Sequence, residues 1–130
     1  SQNVTAPAST PLRRIRTVAE LDQQLAAAKG RPVMLDFYAD WCVSCKEMER
    51  FTFSEPQVQQ QMQTMLVLQA DVTANSADDS ELLRRFGLFG PPAIVFYNAA
   101  GHLQPQRVIG FVAADEFLHT LQTLQGKSRI

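Results

Sequence analysis

The chain has 130 residues and 45% hydrophobic content, the size of one domain with enough apolar material to bury a core. Its net charge is −1, with 19% charged residues and no Lys/Arg cluster, so a nucleic acid or anionic membrane has no electrostatic footing on it. Apolar runs such as Pro91–Tyr97 fall far short of the roughly 20 residues needed to cross a bilayer, and two cysteines exclude a disulfide-scaffolded fold. No signal peptide is visible, and the start at Ser1 points to a processed product or a cut fragment.

Residues 1–11 are rich in Ser, Thr, Ala and Pro and read as a flexible linker to something upstream. Leu12–Arg16 reads as a short edge strand. Thr17-Val-Ala-Glu20 matches a capping box, and Val18, Leu21, Leu25 and Ala28 recur at helical spacing up to Gly30. Pro32–Tyr38 is a buried strand by its apolar run, followed by a helix over Cys42–Thr52 and a second helical stretch restarted by Ser54-Glu-Pro56. Leu66–Asp71 is a second buried strand, Thr73–Ser80 a polar loop and Glu81–Phe86 a short helix closed by Gly87. Ala93–Tyr97 and Gln106–Ile109 read as strands joined by a turn at Asn98–Gly101. Ala113–Gln125 is a closing helix with Phe117, Leu118, Leu121 and Leu124 on its apolar side, and 126–130 is a tail. Helices between the early strands imply parallel crossovers, and the last two strands form a hairpin. The fold class is α/β, a mixed central sheet with helices on both faces.

The two cysteines, Cys42 and Cys45, lie in Asp36-Phe-Tyr-Ala-Asp-Trp-Cys-Val-Ser-Cys-Lys46, after an apolar run and at the head of a helix. A thiolate, not a thiol, attacks a disulfide, and a helix start favours negative charge. Cys42 is therefore assigned as the nucleophile, and Cys45, one turn later, as the thiol that resolves its mixed disulfide. A zinc site would need about four ligands, and His102 and His119 supply no second close pair. A purely structural disulfide would close a tiny loop of little stabilising value. No cofactor beyond the redox-active cysteines and no metal is expected.

Asp36 stands inside an apolar strand. Either alternation turns it to solvent, or it is a buried acid of raised pKa that shuttles the proton of Cys45. Glu49 lies two helical turns after Cys42. It is either a solvated acid paired with Lys46 or Arg50, or an anion that raises the Cys42 pKa. Lys46 reads as a surface charge. Trp41 either shields the thiol or is ordinary core.

With Cys42–Cys45, Asp36 and Gly90-Pro-Pro-Ala93 placed, the chain resembles the thioredoxin superfamily over Leu12–Gln125. The stretches Lys46–Val58 and Leu68–Asn75 are similar, more narrowly, to the C-terminal periplasmic domains of bacterial membrane thiol:disulfide interchange proteins. That resemblance implies a thioredoxin-like fold and a protein-disulfide reductase placed in the periplasm as part of an inner-membrane protein. It implies electrons arriving from a transmembrane domain that cytosolic thioredoxin reduces. They would leave for an N-terminal domain of the same parent protein, which serves disulfide isomerases and cytochrome c maturation. It implies that Asp36 and Glu49 hold the Cys42 pKa high, and that Pro92 is a cis-proline packed against the cysteines rather than a simple loop proline. The isolated domain is expected to be monomeric.

Two positions depart from that pattern. Ser44 is polar where a small apolar residue is expected, and its hydroxyl could bond a nearby thiolate. Pro91 has no N–H to pair with a docked partner, which predicts weaker or shifted docking. The competing readings are a free-standing thioredoxin-like reductase, as in cytochrome c maturation, and a binding module with idle cysteines.

Overall fold

The computed structural model describes residues 11–126, so nearly all of the 1–11 linker and the 126–130 tail lies outside the described residues. Along the chain run β1 (Arg13–Ile15), α1 (Val18–Ala28), β2 (Val33–Tyr38), α2 (Val43–Glu47), a π-helical turn (Met48–Thr52), α3 (Pro56–Met62), β3 (Leu66–Asp71), α4 (Ala77–Arg85), β4 (Ala93–Tyr97), β5 (Leu103–Ile109) and α5 (Ala114–Leu124).

The strands form one sheet in the order β1-β3-β2-β4-β5. The pairs β1/β3 and β3/β2 are parallel, and β2/β4 and β4/β5 antiparallel. This is the mixed sheet that the helix-separated early strands and the late hairpin predict. Alternation splits the core in two. Leu35, Phe37, Leu68, Ala70 and Val95 pack with Leu21 and Leu82 on one side, and Met34, Val67, Ile94 and Phe96 pack with Val58, Phe117 and Leu121 on the other. Among the described residues no helix is long and apolar enough to cross a membrane.

Three elements differ from the sequence expectation. α4 begins a turn early, because Ser76 Oγ accepts the Asp79 N–H (3.1 Å) while Asp79 Oδ2 accepts the Ser76 N–H (3.0 Å). Asp79 thus closes a capping box rather than shaping a loop. β5 begins at Leu103 despite Pro105, which an edge strand tolerates because one row of its N–H groups faces no neighbour. The single helix expected over Cys42–Thr52 widens after Glu47 into the π turn, where Phe53 N–H donates to Met48 O (2.8 Å). The widened turn carries buried Thr52 to the chain after β5: its Oγ1 donates to Val112 O (2.6 Å), and Val112 N–H donates to Met48 Sδ (3.4 Å).

Candidate active site

β2 delivers the chain to the cysteines, and the turn between them is pinned from the end of β3. Asp40 N–H donates to Thr73 Oγ1 (2.8 Å) and Trp41 Nε1–H to Thr73 O (3.0 Å). The Thr73 N–H in turn donates to Asp71 Oδ1 (2.9 Å). Tyr38 OH donates to Asp40 Oδ1 (3.0 Å), and Lys46 Nζ donates to Tyr38 OH while lying 5.0 Å from its ring centroid. Lys46 is therefore part of the fastening of this turn as well as a surface charge.

Cys42 is the N-cap of α2, and its Sγ accepts the Cys45 N–H at 3.1 Å. An N–H aimed at the sulfur, at the positive end of a helix, stabilises a Cys42 thiolate once the pair is reduced. The two cysteines form a disulfide, with Cα atoms 5.2 Å apart. They are 6% and 4% exposed, and Cys45 Sγ lies 3.9 Å from the Phe37 carbonyl oxygen. Next to them in the chain, Trp41 is 56% exposed and Val43 is also exposed, so the core reading of Trp41 is set aside. Ser44 is half-buried.

The peptide bond between Pro91 and Pro92 is cis. The register Phe37↔Ala93 brings these prolines to the end of β2 from which the cysteine turn departs. Both are half-buried, and the Pro92 carbonyl accepts the Gly110 N–H at 3.0 Å.

Asp36 is 7% exposed, so the solvent-facing reading fails. It lies on the Met34 side of the sheet, where it lines a cavity of about 340 Å³ together with Glu49, Phe53, Met62 and Gln69. Burial raises its pKa from 3.8 to about 7; the Gln69 hydrogen bond and Arg14 oppose the rise, and the charge of Glu49 adds to it. Glu49 itself is exposed, on the π turn, and it shares this cavity with Asp36. Among the described residues no group of three or more His, Cys, Asp or Glu is placed to hold a metal ion.

The sequence reading passed over Gln69 and Arg14. Gln69 Nε2 donates to Asp36 Oδ2 (3.1 Å), and Arg14 Nε donates to Gln69 Oε1 (2.6 Å). A signal for Gln69 existed: it is the one uncharged polar residue inside an otherwise apolar strand run, Leu66–Ala70. Thr73, which holds the Trp41 ring, lies in a polar stretch with no pattern to single it out.

As an arrangement, the site offers a capped sulfur, a second sulfur bonded to it and a buried acid with a solvent-connected cavity. These are the parts for dithiol/disulfide exchange.

Comparison with known proteins agrees. Residues 19–125 match the family described as a thioredoxin-like domain. The chain is 53% identical over 119 residues to the thiol:disulfide interchange protein DsbD of Ralstonia nicotianae, covering 90% of this chain and 20% of that protein. It is 54% identical over 118 residues to DsbD of Salmonella typhimurium, covering 90% of this chain and 21% of that one. The chain thus spans about a fifth of the length of these curated relatives. The crystal structure of the Neisseria meningitidis DsbD C-terminal domain in the reduced form is similar, with a TM-score of 0.69 and 41% identity. That match covers 81% of this chain and 90% of that one.

Proposed function

The chain belongs to the thioredoxin-like family, alongside the C-terminal domain of DsbD, and from that premise we propose that it is a protein-disulfide reductase domain that relays electrons in the periplasm. The observation that carries this reading is the match over nearly the whole chain to one fifth of a larger interchange protein, with Cys42 and Cys45 paired at a helix N-terminus.

In the reduced domain the Cys42 thiolate attacks a partner disulfide. A mixed disulfide forms and one partner thiol leaves. Cys45 loses its proton and attacks the Cys42 sulfur; the Cys42–Cys45 disulfide closes and the second partner thiol leaves. Two electrons pass to the partner, whose two leaving thiolates take up protons from solvent in place of those the cysteines release, and a dithiol donor restores the pair. Asp36, titrating near neutrality, accepts the Cys45 proton and passes it to solvent through the cavity it shares with Glu49. In the resting dithiol the two carboxyl groups work against the Cys45 N–H and the helix end, so that only a fraction of Cys42 is thiolate, and that fraction attacks. Trp41, Pro91 and Pro92 form the surface on which the partner docks. The donor is the transmembrane domain of the parent protein and the acceptor its N-terminal domain.

The test is trapping in the full-length parent. Cys45→Ala should accumulate a reductant-sensitive adduct through Cys42 to another domain of the same protein. A free-standing reductase would give adducts only to separate proteins, and an idle module none; either result sinks the relay. The reduction potential should lie toward the thioredoxin end, about −270 mV, and away from the oxidant end, about −120 mV.

A further inference from the structure

Arg14, Gln69 and Asp36 are direct cross-strand neighbours on three adjacent parallel strands: Arg14 pairs with Gln69, and Gln69 with Asp36. Paired positions point to one face, so the three side chains form a row from the sheet edge to the buried acid. A primary amide has one acceptor end and one donor end, and a guanidinium only donates. Arg14 Nε takes the Oε1 end of Gln69 at 2.6 Å, which leaves Nε2 as the end facing Asp36 Oδ2 at 3.1 Å. Gln69 is almost fully buried, away from the solvent that could otherwise satisfy either end. The guanidinium is itself held, because its second nitrogen donates to Asp71 Oδ2 at 3.2 Å.

We propose that Arg14 is a positioning residue that locks the Gln69 amide in the one orientation presenting an N–H to Asp36, and so favours the carboxylate that takes the proton of Cys45. Among the described residues the one other charged group acting on Asp36 is Glu49 from the π turn, whose charge opposes this; Ile94, paired with it on β4, and the Met34, Phe53 and Met62 side chains that line its cavity carry none. Without Arg14 the amide is free to turn its oxygen toward Asp36 and accept the O–H of the protonated acid. The buried acid then holds its proton to higher pH. The catalytic half of this inference rests on the proposed role of Asp36; the structural half does not.

The experiment is an NMR titration of the Asp36 carboxyl in the disulfide form of the chain. Arg14→Met and Arg14→Lys should each raise the midpoint by about one pH unit, the worth of one net hydrogen bond. Lysine keeps the charge but loses the planar fork. Gln69→Leu should raise the midpoint similarly, and adding Arg14→Met to it should add only the smaller effect of the lost guanidinium charge. An Arg14→Lys variant that titrates like the parent, or an Arg14→Met shift that persists in full beside Gln69→Leu, overturns the proposal in favour of a remote charge effect. The pH profile of mixed-disulfide resolution should move with the midpoint. If Asp36→Asn leaves that profile unchanged, the proton-acceptor role fails, while the carboxyl titration still decides the role of Arg14.

Discussion

β2 and β4 lie side by side in the middle of the sheet, and every residue of both is buried. β4, Ala-Ile-Val-Phe-Tyr, is hydrocarbon throughout apart from one hydroxyl, and each large side chain contributes roughly 1.5–3 kcal/mol by leaving water. β2 has the same surroundings but carries Asp36 in the row that β4 fills with Ile94. At pH 7 that carboxyl sits near half-ionisation in the fold, whereas it is fully ionised in the unfolded chain. One strand holds the sheet together; its neighbour gives up stability to keep a buried acid of raised pKa.

The largest effect separates the chemistry from the scaffold. Cys42→Ser should lower disulfide reduction by several orders of magnitude, measured as insulin or partner-domain reduction, while the unfolding midpoint of the reduced protein barely moves. On β4, Phe96→Ala should do the reverse. It removes a fully buried ring that packs 6.5 Å from Phe117, costing about 3–5 kcal/mol in urea unfolding with the pH profile of exchange unchanged. A shifted profile in Phe96→Ala would erase the distinction between the strands.

Asp36→Asn sharpens it from the other side. The folded pKa of about 7 lies above the unfolded 3.8, so the native state binds the proton more tightly. The stability this preference supplies is fully present below pH 3.8 and is lost as pH rises to about 7. The variant should therefore be more stable than the parent at pH 8, by up to roughly 4 kcal/mol, with the gain vanishing near pH 4. Resolution of the mixed disulfide should slow at the same time. A gain of equal size at both pH values would mean that Asp36 is not a raised acid.

The contrast between the strands was half legible in the sequence. One acid inside Val33–Tyr38 is a visible anomaly, but alternation left it either solvent-facing or buried, and only the 7% exposure in the fold selects the raised pKa. Gln69 is the same kind of anomaly, but its meaning depends on strand order and register, which place β3 between Arg14 and Asp36. No local pattern carries that information. The π turn was hidden for a related reason: the partner of Thr52 is Val112, 60 residues on, and periodicity reports only near neighbours. The early start of α4, inside the Thr73–Ser80 stretch that reads as a polar loop, is hidden because Asp serves turns and helix caps alike, and only the contact between Ser76 and Asp79 decides between them. The cis bond before Pro92 came from family resemblance and from nothing in the local composition.

The smallest expected effect lies just ahead of β4, at the docking surface proposed for the partner. The Pro92 carbonyl is occupied by the Gly110 N–H, so it has less to offer an incoming chain. Pro91, beside it, contributes a carbonyl but no N–H. A partner strand docking there forgoes one backbone hydrogen bond, worth about 0.5–1.5 kcal/mol net. Pro91→Leu restores that donor without touching the cysteines or Asp36. It should speed reduction of the partner domain by a few-fold, through KM more than kcat, with the pH profile unmoved. A rate equal to or below the parent's would mean that the partner does not use this N–H, and that docking rests on side chains such as Trp41 instead.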